Sequence, residues 1–244
     1  MNNLMTLIKE NAIFVLEFLG VVTVLILLAY FIEKWEKKKN GNQERVLSTK
    51  KITMIGMFSA ISAVLMLFEL PMPFAPAFYK LDFSEIPVLI TGFAFGPVAG
   101  VMTEFCKIVL KLFLKSTSTA VVGELANFAV GCSFILPASI IYLYKKNKKN
   151  AIIACVVGTL ILTVFGTAFN AIYLLPKFAQ LYGMPLDAII GMGTAINPAI
   201  TDVISLVVMA VAPLNLIKGV SVSVITMLVY KKLSVLIKAN QNNY

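Results

Sequence analysis

The sequence predicts an all-α integral membrane protein, a bundle of six transmembrane helices preceded by one further transmembrane helix. Three observations carry this. Hydrophobic residues make up 59% of the 244 positions and charged residues 14%, with a mean hydropathy of +0.89, whereas soluble domains carry about 25% charged residues. That surplus of apolar surface has no place in water, but in lipid the outward face of each helix can stay bare. The apolar residues also gather into runs long enough to span a bilayer, with lysines clustered at their ends.

The first run, Ala12 to Ile32, reaches across a bilayer at ~1.5 Å per residue. Its basic residues (Lys34 and Lys37 to Lys39) follow the run, the reverse of a signal peptide. Residues 1–36 therefore read as a retained anchor with its N-terminus outside. Residues 37–50 read as a polar, basic cytoplasmic linker and 51–244 as the six-helix domain. The second span, Ile52 to Leu70, stops at the proline-rich run Pro71 to Pro76, which cannot continue a helix. Phe83 to Phe95 is short for a span and meets a Gly96-Pro97 break; Val98 to Leu114 is helical again. Leu125 to Tyr144 ends in Lys145, Lys146, Lys148 and Lys149. Ala151 to Leu175 follows, then a long connection containing Tyr182-Gly183-Met184-Pro185. The final span, Pro213 to Tyr230, ends at Lys231 and Lys232. Alternating these spans places all three lysine clusters on one side, which the positive-inside rule makes cytoplasmic. The Pro71–Lys80 loop and the Lys177–Pro213 connection then face outward together. Non-helical backbone at membrane depth is tolerated where it lines a cavity, so an outward-facing pocket is expected.

Charge and residue usage exclude several function classes. Lys+Arg 21 against Asp+Glu 12 makes the chain basic by +9, but Arg45 is its sole arginine and the lysines flank spans; no nucleic-acid partner is expected. There is no histidine, and Cys106, Cys132 and Cys155 lack C-x-x-C spacing. No phosphate loop, zinc-protease motif or nucleophile elbow occurs. The expectation is a non-enzyme without metal or cofactor.

Several polar and small residues stand out within or beside the spans. Glu104 and Lys107, three apart on one helix, can pair; Lys111 and Lys115 continue their stripe, and Glu124 and Asn127 stand in the next helix. Intramembrane charges face a bundle interior or a wet cavity, and a structural pair and a functional role both remain open. Asn170, Asn215 and Lys218 lie near outer span ends, where asparagine's donor and acceptor could read the edge of a uracil-like ring or make an interhelical bond. Between Tyr79 and Glu85, Asp82 or Ser84 can cap the next helix. Phe74, Phe78 and Tyr79 could stack on a flat ligand or form an interfacial belt. On the second span Gly56, Ala60 and Ala63 are read as lying on one face with Ser59 beside them, a small-xxx-small spacing at Gly56/Ala60 and Ser59/Ala63 suited to close helix approach within the chain or with a partner.

The blocks Lys80-Leu81-Asp82-Phe83-Ser84-Glu85-Ile86-Pro87, Gly92 to Gly100 and Gly123-Glu124-Leu125-Ala126-Asn127-Phe128 resemble the substrate-binding S-components of energy-coupling-factor (ECF) vitamin transporters. Asn170 with Leu175-Pro176, and Pro213 to Gly219, are similar to the riboflavin-specific members, and the likeness covers about Lys51 to Lys232. The resemblance implies a six-helix core that takes riboflavin, as cargo and not as cofactor, from the extracellular side. It implies a prokaryotic plasma-membrane location, a transmembrane coupling subunit and two cytoplasmic ATPase subunits as partners, and toppling of the core to deliver the vitamin. By matching position, Tyr79, Leu81, Asp82, Phe83, Glu124, Asn127, Asn170, Asn215 and Lys218 are implied in substrate binding. Gly56, Ser59, Ala60 and Ala63 are implied in the coupling contact. The first helix departs from the family pattern, and the linker suggests that it stays upright while the core moves. Flavin mononucleotide (FMN) or another vitamin as cargo, an autonomous carrier and a membrane adaptor are the alternatives.

Overall fold

The computed structural model describes residues 12–41, 45–115, 117, 119 and 121–241, with side chains through residue 229. The side chains of Lys231 and Lys232, and Asn42 of the linker, lie outside that description. Helix α1 runs over Ala12–Lys39, so Lys37 to Lys39 form its last turn instead of opening the linker. Helix α2, Thr49–Met66, starts on Ser48, whose side chain accepts from the Lys51 amide. A two-residue hairpin, β1 (Leu70–Pro71) with β2 (Lys80–Leu81), braces the outer loop, Leu70 facing Leu81.

Helix α3, Glu85–Phe95, is only 11 residues, about half a bilayer at ~1.5 Å per residue, and nine of those residues are buried. Gly96, at φ +99°, turns the chain back into α4, Pro97–Leu114. Helix α5 covers Val122–Tyr144. Among the described residues, five helices are long and apolar enough to cross a membrane. α3 is too short to be counted and α4 carries Glu104, Lys107 and Lys111, but with them the six core helices and the preceding one are complete.

The bounds of two expected spans are corrected. The helix expected over Ala151 to Leu175 begins at Lys148 and, as α6 (Lys148–Phe169), a π turn (Asn170–Leu174) and α7 (Leu175–Tyr182), continues to Tyr182. The last span begins not at Pro213 but at Val203, as α9 (Val203–Leu206), a π turn (Val207–Val211) and α10 (Ala212–Gln241). The long outer connection is thus mostly helical, with α8 (Leu186–Thr194) between. The physical reason is the same at both places. Proline normally stops a helix by clashing with the carbonyl four residues back and removing a donor. Here Pro176 and Pro213 each come two residues after a π turn, whose wider i→i+5 bonds (Leu175 N–H to Asn170 O, Ala212 N–H to Val207 O) relieve the clash.

At the end expected to be cytoplasmic, Lys51 Nζ lies 2.6 Å from Glu33 Oε1, and Lys146 is near enough to Glu33, Glu36 and Lys51 to feel their charges. Two of the basic segments, around Glu33 to Lys51 and at Lys146, therefore meet at one end. Against the core, α1 lays Phe18, Val22 and Ala29 on α4 and α5, with the Phe18 ring 6.2 Å from Phe105 and 5.8 Å from Phe128.

Candidate functional site

At the outer end the core helices diverge around a cavity of about 550 Å³, within the ~300–1,000 Å³ of small-molecule sites. One wall is aromatic. Phe78 lies 4.5 Å from Tyr79, and Phe178 stands edge-on to Phe78 at 6.5 Å and 5.8 Å from Tyr182. Met66, Met184 and Met192 add soft, adaptable surface. Of the residues expected to bind substrate, Tyr79, Asp82, Glu124, Asn127, Asn170, Asn215 and Lys218 are all brought to this cavity from four separate segments, the outer loop, α5, the first π turn and α10. Leu81 and Phe83 are not among its lining; both pack into the apolar cluster with Leu175 and Leu206, Leu81 only 5% exposed. The period-2 alternation of an extended segment explains this from Lys80 onward, since Lys80 and Asp82 face the cavity while Leu81 and Phe83 face away.

The polar lining divides into groups already committed and groups held ready. Asn170 accepts from Tyr79 Oη at 2.9 Å and donates to Gly166 O at 2.7 Å. Glu124 takes Lys111 Nζ at 2.8 Å and the hydroxyls of Thr117 and Thr119 at 2.9 and 3.1 Å. Those threonines reach it because Val121 adopts a left-handed backbone (φ 73°) at the start of α5, a strained position for a β-branched residue of the kind found at functional sites. Lys218 Nζ is held between Asp82 at 3.2 Å and Glu85 at 3.1 Å. In contrast, the buried Nδ2 of Asn215 has no hydrogen-bond partner, and no bond to a described residue engages the Asn127 amide.

Behind Lys218 lies a buried ionic network. Lys107 Nζ sits 2.6 Å from Glu104 and 3.4 Å from Glu85, and donates to Ser84 Oγ at 3.1 Å. Glu104 and Lys107 are fully buried and the expected pair exists within α4, while the contacts of Lys107 and Lys218 with Glu85 tie α4 and α10 to α3 where unpaired charge would be prohibitive. Ser84 is at the N-cap of α3 but makes no side-chain cap; Asp82 Oδ1 instead accepts the Ser84 amide at 2.9 Å. At the mouth, Glu69 joins Lys80 at 2.9 Å and Lys115 at 3.2 Å. Partial burial pushes the Glu69 carboxyl up, but the two lysines prevail and hold it below its ordinary value. Phe178, Ile189 and Met192 were not singled out as binding residues from sequence, although the Lys177–Pro213 connection that contains them was expected beside an outward-facing pocket. Their signal was an aromatic and methionine content unusual for a solvated loop.

The small-residue stripe is split, which corrects the single-face reading. Ser59 and Ala63 point inward, Ser59 Oγ donating to Thr103 O at 3.2 Å, whereas Gly56 and Ala60 are exposed. Positions four apart share a face, while the three-residue offset between the pairs turns the face by about 60°.

The family model for the substrate-specific component of ECF transporters matches residues 50–230. The chain belongs to this family. Among curated relatives of this substrate-specific component, the riboflavin transporter RibU of Staphylococcus aureus is 34% identical over 200 residues, 82% of this chain and 98% of the relative. The riboflavin transporter FmnP of Bacillus subtilis is 31% identical over 188 residues, 77% of this chain and 93% of the relative. The solved structure of the S component of a bacterial ECF transporter matches with a TM-score of 0.60 at 34% identity, covering 78% of this chain and 98% of that one. The substrate-specific component described here is thus a multi-pass membrane transporter subunit, not an enzyme, and it works with partner subunits.

Proposed function

We propose that this chain captures riboflavin from the outer side of a prokaryotic plasma membrane and carries it as cargo, not cofactor, for an ATP-driven importer. The observation that carries this is the cavity with two uncommitted asparagine amides, Asn127 and Asn215, beside an aromatic and methionine wall. An isoalloxazine ring offers an alternating acceptor–donor–acceptor edge and an apolar benzenoid end, and side-chain amides with flat apolar surfaces complement both. The relatives named riboflavin transporters support the same reading. An uncharged flavin is favoured over FMN, because each described lysine lining the cavity is paired: Lys80 and Lys115 with Glu69, Lys111 with Glu124, Lys218 with Asp82 and Glu85. Tyr79, Asp82, Asn170, Glu124 and Lys218 then shape the site, with Leu81 and Phe83 supporting its loop from the core side. The exposed Gly56 and Ala60 present the small surface to which a transmembrane coupling subunit packs, itself driven by two cytoplasmic ATPase subunits, while Ser59 and Ala63 set the spacing of α2 on the core.

The test is flavin fluorescence. Protein purified in detergent should quench riboflavin on binding, more tightly than FMN, and Asn127→Ala with Asn215→Ala should weaken binding roughly 10- to 100-fold, two lost hydrogen bonds of about 1 kcal/mol or more each. Folded wild-type protein that leaves riboflavin fluorescence unchanged would overturn the assignment.

A further inference from the structure

The family match begins at residue 50, downstream of α1, yet α1 reaches the binding cavity from behind. Its outer end forms a knot with the π turn and α7. Tyr173 Oη donates to Glu17 Oε2, Lys177 Nζ lies 3.7 Å from Glu17 Oε1, and the same ammonium sits 5.0 Å above the Phe14 ring and 5.6 Å above that of Tyr173. Tyr173 is also the end of a stacked ladder, 5.0 Å from Phe169. The neighbours of these two residues, Leu174 and Phe178, line the cavity. Phe14 packs into the same small cluster as Ala126 and Leu174, so at this point the wall between α1 and the cavity is one side chain thick. The alternation follows from the helix: 173 and 177 share one face, and 174 and 178 share another about 100° away.

We infer that Glu17 of α1 is a positioning residue for the substrate cavity, which with Phe14 holds the Leu174–Phe178 wall against the bound ligand through Tyr173 and Lys177. A carboxylate that accepts from a tyrosine and faces a lysine fixes one outward position of the π turn, Tyr173, and one of α7, Lys177, and fixing them leaves the cavity-facing pair one orientation. The π turn just before makes such a hold useful, because its i→i+5 bonds are fewer and weaker restraints than those of a regular helix. The added helix therefore slows ligand escape without touching the ligand.

The inference rests on the flavin reading, and the full-length chain in nanodiscs tests both. Riboflavin release is followed by fluorescence recovery after mixing with excess competitor. Glu17→Ala, Phe14→Ala and Tyr173→Phe should each release riboflavin roughly five- to tenfold faster, as expected for loss of a charge-assisted hydrogen bond or its packing. Association rates and the melting midpoint of the ligand-free protein should stay near wild type. Combining Glu17→Ala with Tyr173→Phe should add nothing further, a non-additivity that a general loss of stability would not produce. Leu16→Ala, on the lipid-facing side of the same helix at 68% exposure, should release at the wild-type rate. Wild-type protein that fails to bind riboflavin sinks both readings. Wild-type protein that binds while Glu17→Ala and Phe14→Ala release at its rate, or that merely melts earlier with those changes, sinks the positioning role alone.

Discussion

Asn170 and Asn215 are the same residue type beside the same cavity, but their amides are in opposite conditions. Asn170 is bonded to Tyr79 and to the Gly166 carbonyl; the buried Nδ2 of Asn215 is bonded to nothing. A buried donor without a partner costs ~1–3 kcal/mol, so Asn215 spends stability that only a ligand acceptor restores. Asn215→Leu should therefore leave the melting midpoint of the ligand-free protein unchanged or raised while weakening riboflavin binding. Asn170→Leu should lower the midpoint, because it strands the Tyr79 hydroxyl. Paired melting and fluorescence titrations check this, and a lower midpoint in both variants would contradict it. The sequence places both asparagines at outer span ends, but it carries no sign of which is satisfied. That depends on Tyr79, 91 positions away from Asn170.

At the scale of elements, α2 illustrates what a pattern of small residues can and cannot say. The spacing Gly56/Ala60 and Ser59/Ala63 is legible, but which pair meets the protein's own core is decided by where α4 lies. A Cβ at Gly56 would meet nothing within 4 Å, so that face is open. Ala60→Leu should consequently keep riboflavin affinity while reducing uptake in cells that supply the partner subunits. Ser59→Leu should destabilise the bundle itself by about 1–3 kcal/mol or more through overpacking. Uptake assays against melting curves separate the two, and normal uptake by Ala60→Leu would remove the exposed face from the coupling contact. The two π turns make a related point. Proline in the sequence reads as a stop, and only the widened turn before it lets α7 and α10 continue across Pro176 and Pro213.

For the whole molecule, the question is whether α1 moves with the core. The linker suggests an upright, independent helix, but the buried Glu33 carboxylate holds Lys51 at 2.6 Å and the Val98 amide at 3.2 Å. It lies over Gly96, where a Cβ would come within 2.7 Å of Oε2. Breaking a buried ion pair by removing one partner costs ~3–5 kcal/mol, and the Glu17 knot would have to break as well. The helix is thus expected to travel with the core. With the three native cysteines replaced, a disulfide between Phe18→Cys and Phe105→Cys, whose native rings are 6.2 Å apart, should leave ATP-driven uptake the same when oxidised or reduced. Uptake lost on oxidation would show that the helix must separate. By itself, the sequence determined that the chain lies in a membrane as an all-α bundle of six core helices with one before them, and which polar residues approach the cavity, because hydropathy and span ends are local properties of the chain. Only the tertiary structure decided which asparagine is free, which face of α2 is open, where the last helices begin and that α1 backs the cavity, because each depends on partners brought together from distant segments.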